Sequence, residues 1–395
     1  LNIMKRLYIF LLAILAAFTA NAQVTKTMTW NGRERQYLQY VPDSYQSGTS
    51  APLMVFLHGL GDDMNNAFNT SNIAKMADEK GWIAIFPQAL DYNLEIPFVG
   101  TYDFGAAWEA GVTLTVTIPY LGDMPFTLND GVDDSGFLNE ILNVVGNECA
   151  VDADSIFFAG FSLGGFMCHR MAIEHGDRIN GIAAVSGLVG NDMQEKTPNA
   201  NVNVLQIFGT GDQMINYDNA SLEFQGYGPF VVGLNAEQSV DFWRNFNQCD
   251  AEEVFELYPD TEMDGLTFEM HSYLNGNNAT RVSFLKVNDG DHYWYSGEGF
   301  DIDYVTEIYR FFTNTLDVTQ VEEKVQNLAL YPNPACDFVQ VQLEAPALVS
   351  VYNSNGLEVL RSFSQGQLDV SGLANGLYFI KIDGKPIRAK LAVVR

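Results

Sequence analysis

Gly160-Phe161-Ser162-Leu163-Gly164-Gly165 sets a serine among small residues, directly after an apolar stretch and at the start of a helical one. A sharp strand-to-helix turn of this kind holds the serine in a strained conformation at the tip of a sheet. Bulky neighbours there would collide with the adjoining strand and helix. The helix that follows aims its free N–H groups and its dipole at developing negative charge. Such a serine is a candidate nucleophile, and it needs a base to take its proton.

The chain has five histidines, so elimination is informative. His58 precedes the serine. His169 and His175 lie on the helix that the serine opens and cannot swing back to its Oγ. His271 falls in an alternating strand, Thr267 to Tyr273. His292 remains, in the turn Asn288-Asp289-Gly290-Asp291-His292 just past the last strand, where the chain order Ser, Asp, His puts the base. The acid should end a strand between the two, and Gly209-Thr210-Gly211-Asp212 does so. Asp212 would accept the second imidazole N–H, fix the tautomer and stabilise the cation. Asp218 and Asp192 are fallbacks, each further from a strand end.

A tetrahedral oxyanion needs two N–H donors. Leu163, next to the serine, supplies one. The loop His58-Gly59-Leu60-Gly61 supplies the other, with Leu60 preferred and Gly61 possible. His58 itself reads as a loop-fixing residue. Trp294, Tyr217 and Trp108 are candidate substrate-binding aromatics, with ordinary packing an equal reading for Trp108. No Cys/His cluster has zinc spacing and no glycine-rich phosphate loop occurs, so neither metal nor cofactor is expected.

The elements that position these residues alternate. Pro52–Leu57, Trp82–Phe86, Ser155–Ala159, Gly181–Val185, Asn203–Phe208 and Arg281–Val287 read as buried strands, and Arg35–Val41 as an alternating one. Asn72–Lys80, a segment opened by Asp133 and Asp134, Leu163–His175, Ala236–Phe246 and Asp303–Thr313 read as helices. This predicts an α/β class: a mostly parallel sheet covered on both faces, with ligands at the carboxyl ends of its strands. Residues 318–327 read as a linker. Residues 328–395 carry short strands between turns, which predicts a small β-sandwich. No tandem repeat or low-complexity tract is present.

Of the 395 residues 47% are hydrophobic, enough for a large core, and the net charge of -28 disfavours nucleic acid and anionic membrane surfaces as partners. Residues 1–22 read as a signal peptide: a basic start at Lys5 and Arg6, an apolar run from Leu7 to Phe18 too short to span a bilayer comfortably, and Ala20-Asn21-Ala22 before Gln23. No cysteine at the cleavage site suggests a lipid anchor. Export permits disulfides among Cys149, Cys168, Cys249 and Cys336. With Cys336 in the tail, a single bridge and buried free thiols remain equally open.

Residues 29–315 resemble the secreted esterases grouped as poly(3-hydroxybutyrate) depolymerases and family 1 feruloyl esterases. The likeness rests on Arg35-Gln36-Tyr37-Leu38, the run Pro52 to Gly59, Gly131 to Phe137, Gly160 to Gly165, Gly209 to Asp212 and Asp291-His292-Tyr293-Trp294. It implies an α/β-hydrolase fold and an acyl-enzyme mechanism through Ser162, His292 and Asp212. It further implies release of hydroxycinnamoyl (feruloyl) or acetyl groups from plant polysaccharide, with a polyester depolymerase as the alternative and a catalytically silent surface binding protein as the alternative of another class. Two departures stand out. Residues 111–129 are long and apolar, as a lid or pocket wall would be, and Ile215-Asn216 stands where the family tends to show Val-Pro.

The tail resembles the C-terminal sorting domain of the Bacteroidetes type IX secretion system, through Tyr331-Pro332-Asn333-Pro334, Leu368 to Leu373, Asn375 to Lys381 and Lys390 to Val394. That resemblance implies the secretion machinery as a partner, and release or attachment at the cell surface.

Overall fold

The computed structural model describes residues 23–96, 100–118, 120–224, 227–262, 264–297, 299–313, 330–341, 343, 346–353, 358–382 and 388–395. The expected signal peptide and linker lie outside the described residues. The chain divides into two compact units, Leu1–Thr313 and Asn314–Arg395.

In chain order the first unit has strands β1 (Val24–Trp30), β2 (Arg33–Tyr40), β3 (Ala51–Leu57), β4 (Ile83–Pro87), β5 (Leu90–Ile96), β6 (Gly100–Ala107), β7 (Thr113–Ile118), β8 (Gly122–Thr127), β9 (Val151–Phe161), β10 (Gly181–Val185), β11 (Asn203–Gly209), β12 (Ser221–Phe224), β13 (Tyr227–Val231), β14 (Glu253–Leu257), β15 (Thr267–Tyr273) and β16 (Val282–Asn288). Its described helices are α1 (Met64–Thr70), α2 (Ile73–Lys80), α3 (Asp134–Glu148), α4 (Leu163–His175), α5 (Ala236–Asn247) and α6 (Tyr304–Phe312). Ten strands form one sheet in the order β1-β2-β4-β3-β9-β10-β11-β16-β15-β14. The central run from β4 to β16 is parallel throughout, and antiparallel strands close both edges. Every residue of β4 and β10 is buried, which explains their unbroken apolar sequences.

Register brings the strand ends level. Leu57 sits opposite Gly160, Phe161 opposite Val185, Val185 opposite Ile207, and Gly209 opposite Val287. The loops after β3, β9, β11 and β16 therefore open at one edge of the sheet. Helix α4 can lie close under that edge because Gly164 has no side chain; a Cβ there would run into the carbonyls of Leu57 and His58.

Three hairpins, β5–β6, β7–β8 and β12–β13, stay outside the main sheet. The long apolar segment 111–129 is the β7–β8 hairpin. Leu94, Ile96, Phe104, Leu114, Val116 and Phe230 from the three pack together and join the continuous core of the first unit, so the segment's apolar character is that of core packing. Asn191 staples two of them, exchanging hydrogen bonds with the Thr113 backbone (2.8 and 2.7 Å) and donating to Val231 O (3.0 Å).

On the inner face of α4, His169 is fully buried. It accepts from Trp243 Nε1 (2.9 Å) at Nδ1 and so donates from Nε2 to Gln206 Oε1 (3.0 Å). Burial holds its pKa down, to about 4. The unfolded chain takes up this proton first as pH falls through the ordinary histidine range. The contribution is therefore present above about pH 6.5 and lost on the way down to pH 4, by about 3 kcal/mol. Urea titrations at pH 7 and 4.5 should show the wild type losing more stability than His169→Gln; equal losses would contradict this.

No disulfide joins the four cysteines, and only Cys168 is a buried thiol; Cys149 and Cys249 are half-buried and Cys336 is exposed. In the second unit, Leu330–Tyr331, Phe338–Val341 and Gln367–Asp369 form one antiparallel sheet. Glu358–Ser364, Ala347–Tyr352, Gly376–Ile382 and Arg388–Val393 form another. Val339, Val341, Val349, Val351, Ile380 and Leu391 meet between them as one apolar core.

Candidate active site

Ser162 sits between β9 and α4 with φ 54° and ψ -122°, a conformation that non-glycine residues avoid. Two bonds hold it there: its N–H donates to Val185 O (2.8 Å), and its carbonyl accepts from Gly165 N (2.8 Å). The strain and the small neighbours are what the motif demands.

Asp212 and His292 meet across two loops. His292 Nδ1 donates to Asp212 Oδ2 at 2.7 Å. The other carboxylate oxygen accepts from Met214 N (2.9 Å) and Ile215 N (2.8 Å), and the side chain is wholly buried. His292 Nε2 is buried and makes no hydrogen bond among the described residues. The ring lies 5.1 Å, centroid to centroid, from Phe161, the residue before the serine. The imidazole thus has its tautomer fixed at one nitrogen and its other nitrogen uncommitted. Neither fallback acid meets it: Asp192 accepts from Thr113 Oγ1 (2.6 Å), and Asp218 belongs to a turn capped by Asn216.

The loop after β3 is built on a neutral histidine. His58 is buried; its Nδ1 donates to Gly59 O (2.7 Å) and its Nε2 accepts from Ala89 N (3.1 Å). Burial lowers its pKa, which keeps the Nε2 lone pair free to accept. The Gly61 N–H, one of the two candidate donors in this loop, is spent on Ala106 O (2.8 Å). Gly59 lies against Ser162; a Cβ added to it would be 3.5 Å from the serine Cβ.

Trp108 is placed behind this loop, with no surface toward a ligand. It is fully buried, lies tilted against His58 with ring centroids 5.0 Å apart and donates its indole N–H to His58 O (2.9 Å). Tyr217 lies apart too, its hydroxyl on Glu237 (2.5 Å) and its ring against Phe208 and Phe284. Trp294 does border a cleft of about 210 Å³, together with Phe56, Phe161, Tyr293, His58 and Gly59. Its indole donates to Ser71 O (3.2 Å), and it packs edge-on against Phe56 at 5.1 Å. Phe56, Phe161 and Tyr293 carry no sequence signal that separates them from core aromatics.

A deeper support is also missing from the sequence reading. Asp133 caps α3 as expected, accepting from Gly136 N (2.9 Å). Asp134 instead forms a fully buried ion pair with Arg35 of β2 (2.5 Å) and accepts the Glu109 N–H (2.7 Å), next to Trp108. Burial pushes the Asp134 carboxyl up from its usual range, against the pull of Arg35. The chain of contacts Arg35–Asp134–Glu109, then Trp108 to His58, ends on the loop beside the serine. Among the described residues no group of three or more His, Cys, Asp or Glu could hold a metal ion, and no helix is long and apolar enough to cross a membrane.

Residues 131–228, which span the serine and Asp212, match the phospholipase/carboxylesterase family. Residues 329–393 match the secretion system C-terminal sorting domain. A protein of Nocardia uniformis subsp. tsuyamanensis named as an esterase is 24% identical over 272 residues, covering 67% of this chain and 72% of that one. Feruloyl esterase B of Piromyces equi is 24% identical over 261 residues, 65% of this chain but 42% of the relative. The chain thus spans less than half of that esterase. The solved acetyl xylan esterase from Aspergillus awamori superposes with a TM-score of 0.47 at 14% identity, covering 73% of this chain and 98% of that one.

The first unit is an α/β-hydrolase: the parallel sheet, the strained serine turn and the family match define that class. Within it, residues 131–228 match the phospholipase/carboxylesterase family, and a protein named as an esterase is among those similar to the chain. Its tail is a secretion sorting domain, so the secretion machinery is a partner and the protein is marked for export.

Proposed function

We propose that the enzyme hydrolyses carboxylic esters through an acyl-enzyme on Ser162, with His292 as general base and acid and Asp212 as its orienting anion. The observation that carries this reading is the 2.7 Å Asp212–His292 bond with Nε2 left uncommitted beside the serine turn. Ser162 Oγ attacks the ester carbonyl while Nε2 takes its proton, and the Leu163 and Leu60 N–H groups stabilise the oxyanion. The imidazolium then protonates the leaving alcohol, and water repeats the sequence to free the acid.

The substrate we infer is a hydroxycinnamoyl or acetyl ester on plant polysaccharide. A cleft walled by Phe56, Phe161, Tyr293 and Trp294 suits a planar aryl acyl group. The name of the Piromyces relative, a feruloyl esterase, favours the same class. The purified protein is assayed on methyl ferulate, p-nitrophenyl acetate and a poly(3-hydroxybutyrate) suspension, beside Ser162→Ala. Ferulate release that disappears in the variant is the expected result. Polymer clearing without ferulate release would move the substrate to polyesters. Binding without turnover of any ester would overturn the mechanism.

A further inference from the structure

The loops that carry Asp212 and His292 are joined by more than those two side chains. Gly211 N donates to Gly290 O (2.9 Å), Thr210 N to Val287 O (2.9 Å), and Asp289 N to Thr210 Oγ1 (2.9 Å). The link nearest the imidazole is made by a side chain that the proposed mechanism does not use. Asp291 Oδ1 accepts from Gln213 N (2.9 Å) and from His292 N (2.7 Å) at once. One oxygen therefore holds the residue after the acid and the base itself. Its own N–H is anchored on Tyr295 Oη (3.0 Å), and Tyr295 is a buried ring packed on Tyr304.

We propose that Asp291 is a positioning residue: by pinning Gln213 and His292 to one carboxylate oxygen, it sets the separation and angle at which Asp212 meets the imidazole. This rests on the Ser162-His292-Asp212 reading. The chemistry favours an anion at this position. A carboxylate accepting two backbone N–H groups makes charge-assisted bonds about twice as strong as neutral ones. The same two bonds hold the Asp291 carboxyl below its usual range, so it stays ionised over the working pH. The side chain is largely in solvent and packs against no core, so cavity formation is not at issue on its removal.

The test compares Asp291→Ala and Asp291→Asn with the wild type on p-nitrophenyl acetate, with active sites counted by an organophosphonate burst so that misfolded enzyme drops out. Asp291→Ala should lower kcat per site by about 10- to 100-fold, the scale of a small misplacement of a reacting group, with KM within about twofold. Asp291→Asn keeps a carbonyl oxygen for both N–H groups and should recover most of the lost kcat. An unchanged per-site kcat in Asp291→Ala overturns the proposal. So does a rise in KM alone, or an Asp291→Asn enzyme as slow as Asp291→Ala. Asp212→Asn runs alongside: if it too keeps full kcat, the triad reading fails on its own account.

Discussion

Asp212→Asn is expected to lower kcat by about 10³- to 10⁴-fold with little change in KM or in fold. The reason lies in the hydrogen-bond inventory. Oδ1 of Asp212 is already taken by the Met214 and Ile215 N–H groups, both donors. In the asparagine variant the amide oxygen must stay with those two donors, which turns the NH₂ group toward His292 Nδ1. A donor facing Nδ1 forces the ring proton onto Nε2, the nitrogen that must accept from the serine. The variant is thus locked in the wrong tautomer and also lacks the anion that stabilises the imidazolium. Steady-state kinetics with a circular dichroism check decide it. A folded variant within tenfold of wild type would remove Asp212 from the mechanism.

Asp134→Ala is expected to destabilise the first unit by about 3–5 kcal/mol, the range for removing one partner of a buried pair. Asp134 and Arg35 are both almost fully buried, and the Arg35 guanidinium lies 3.8 Å over the Phe137 ring. The Arg35 pKa is lowered by burial and the Asp134 pKa raised by it, so each charge is costly alone. Arg35 Nε has no hydrogen-bond partner among the described residues even in the wild type, so the pair is no large net source of stability. Removing the pair together should therefore be milder: Arg35→Met with Asp134→Leu should lose less than Asp134→Ala alone. Urea denaturation of the wild type, Asp134→Ala and the double variant tests this, and a double variant at least as unstable as Asp134→Ala would contradict it. The single variant also strips the Glu109 N–H of its acceptor. Slack there passes through Trp108 to the His58 loop, so turnover should fall with stability.

What the sequence makes legible follows from locality. Leu163–His175 and Gly181–Val185 coincide with the structure's own bounds because apolar periodicity and turn glycines mark both ends. The meeting of Asp212 and His292 is legible because each follows a strand of one parallel sheet, and such strands end at a common edge. Asp134 is not, since its partner Arg35 lies on another element and an acid at a helix start has a sufficient local explanation. Trp108 misleads for the related reason that a fully buried indole and a pocket-wall indole have the same sequence. The hairpin β5–β6 escapes notice because its strands mix polar and apolar residues, its buried face being formed by the other two hairpins. The edge strand β14 is exposed along its whole length and so carries no burial signal.

The central claim is that Ser162 is the activated nucleophile, and covalent labelling reads this without a choice of substrate. The protein is treated with a fluorophosphonate ester, digested and analysed by peptide mass spectrometry, with Asp212→Asn in parallel. The account predicts one adduct per chain on the peptide holding Ser162, formed far more slowly in the Asp212→Asn protein. An adduct on any other serine, or labelling at equal rates in both proteins, would contradict it.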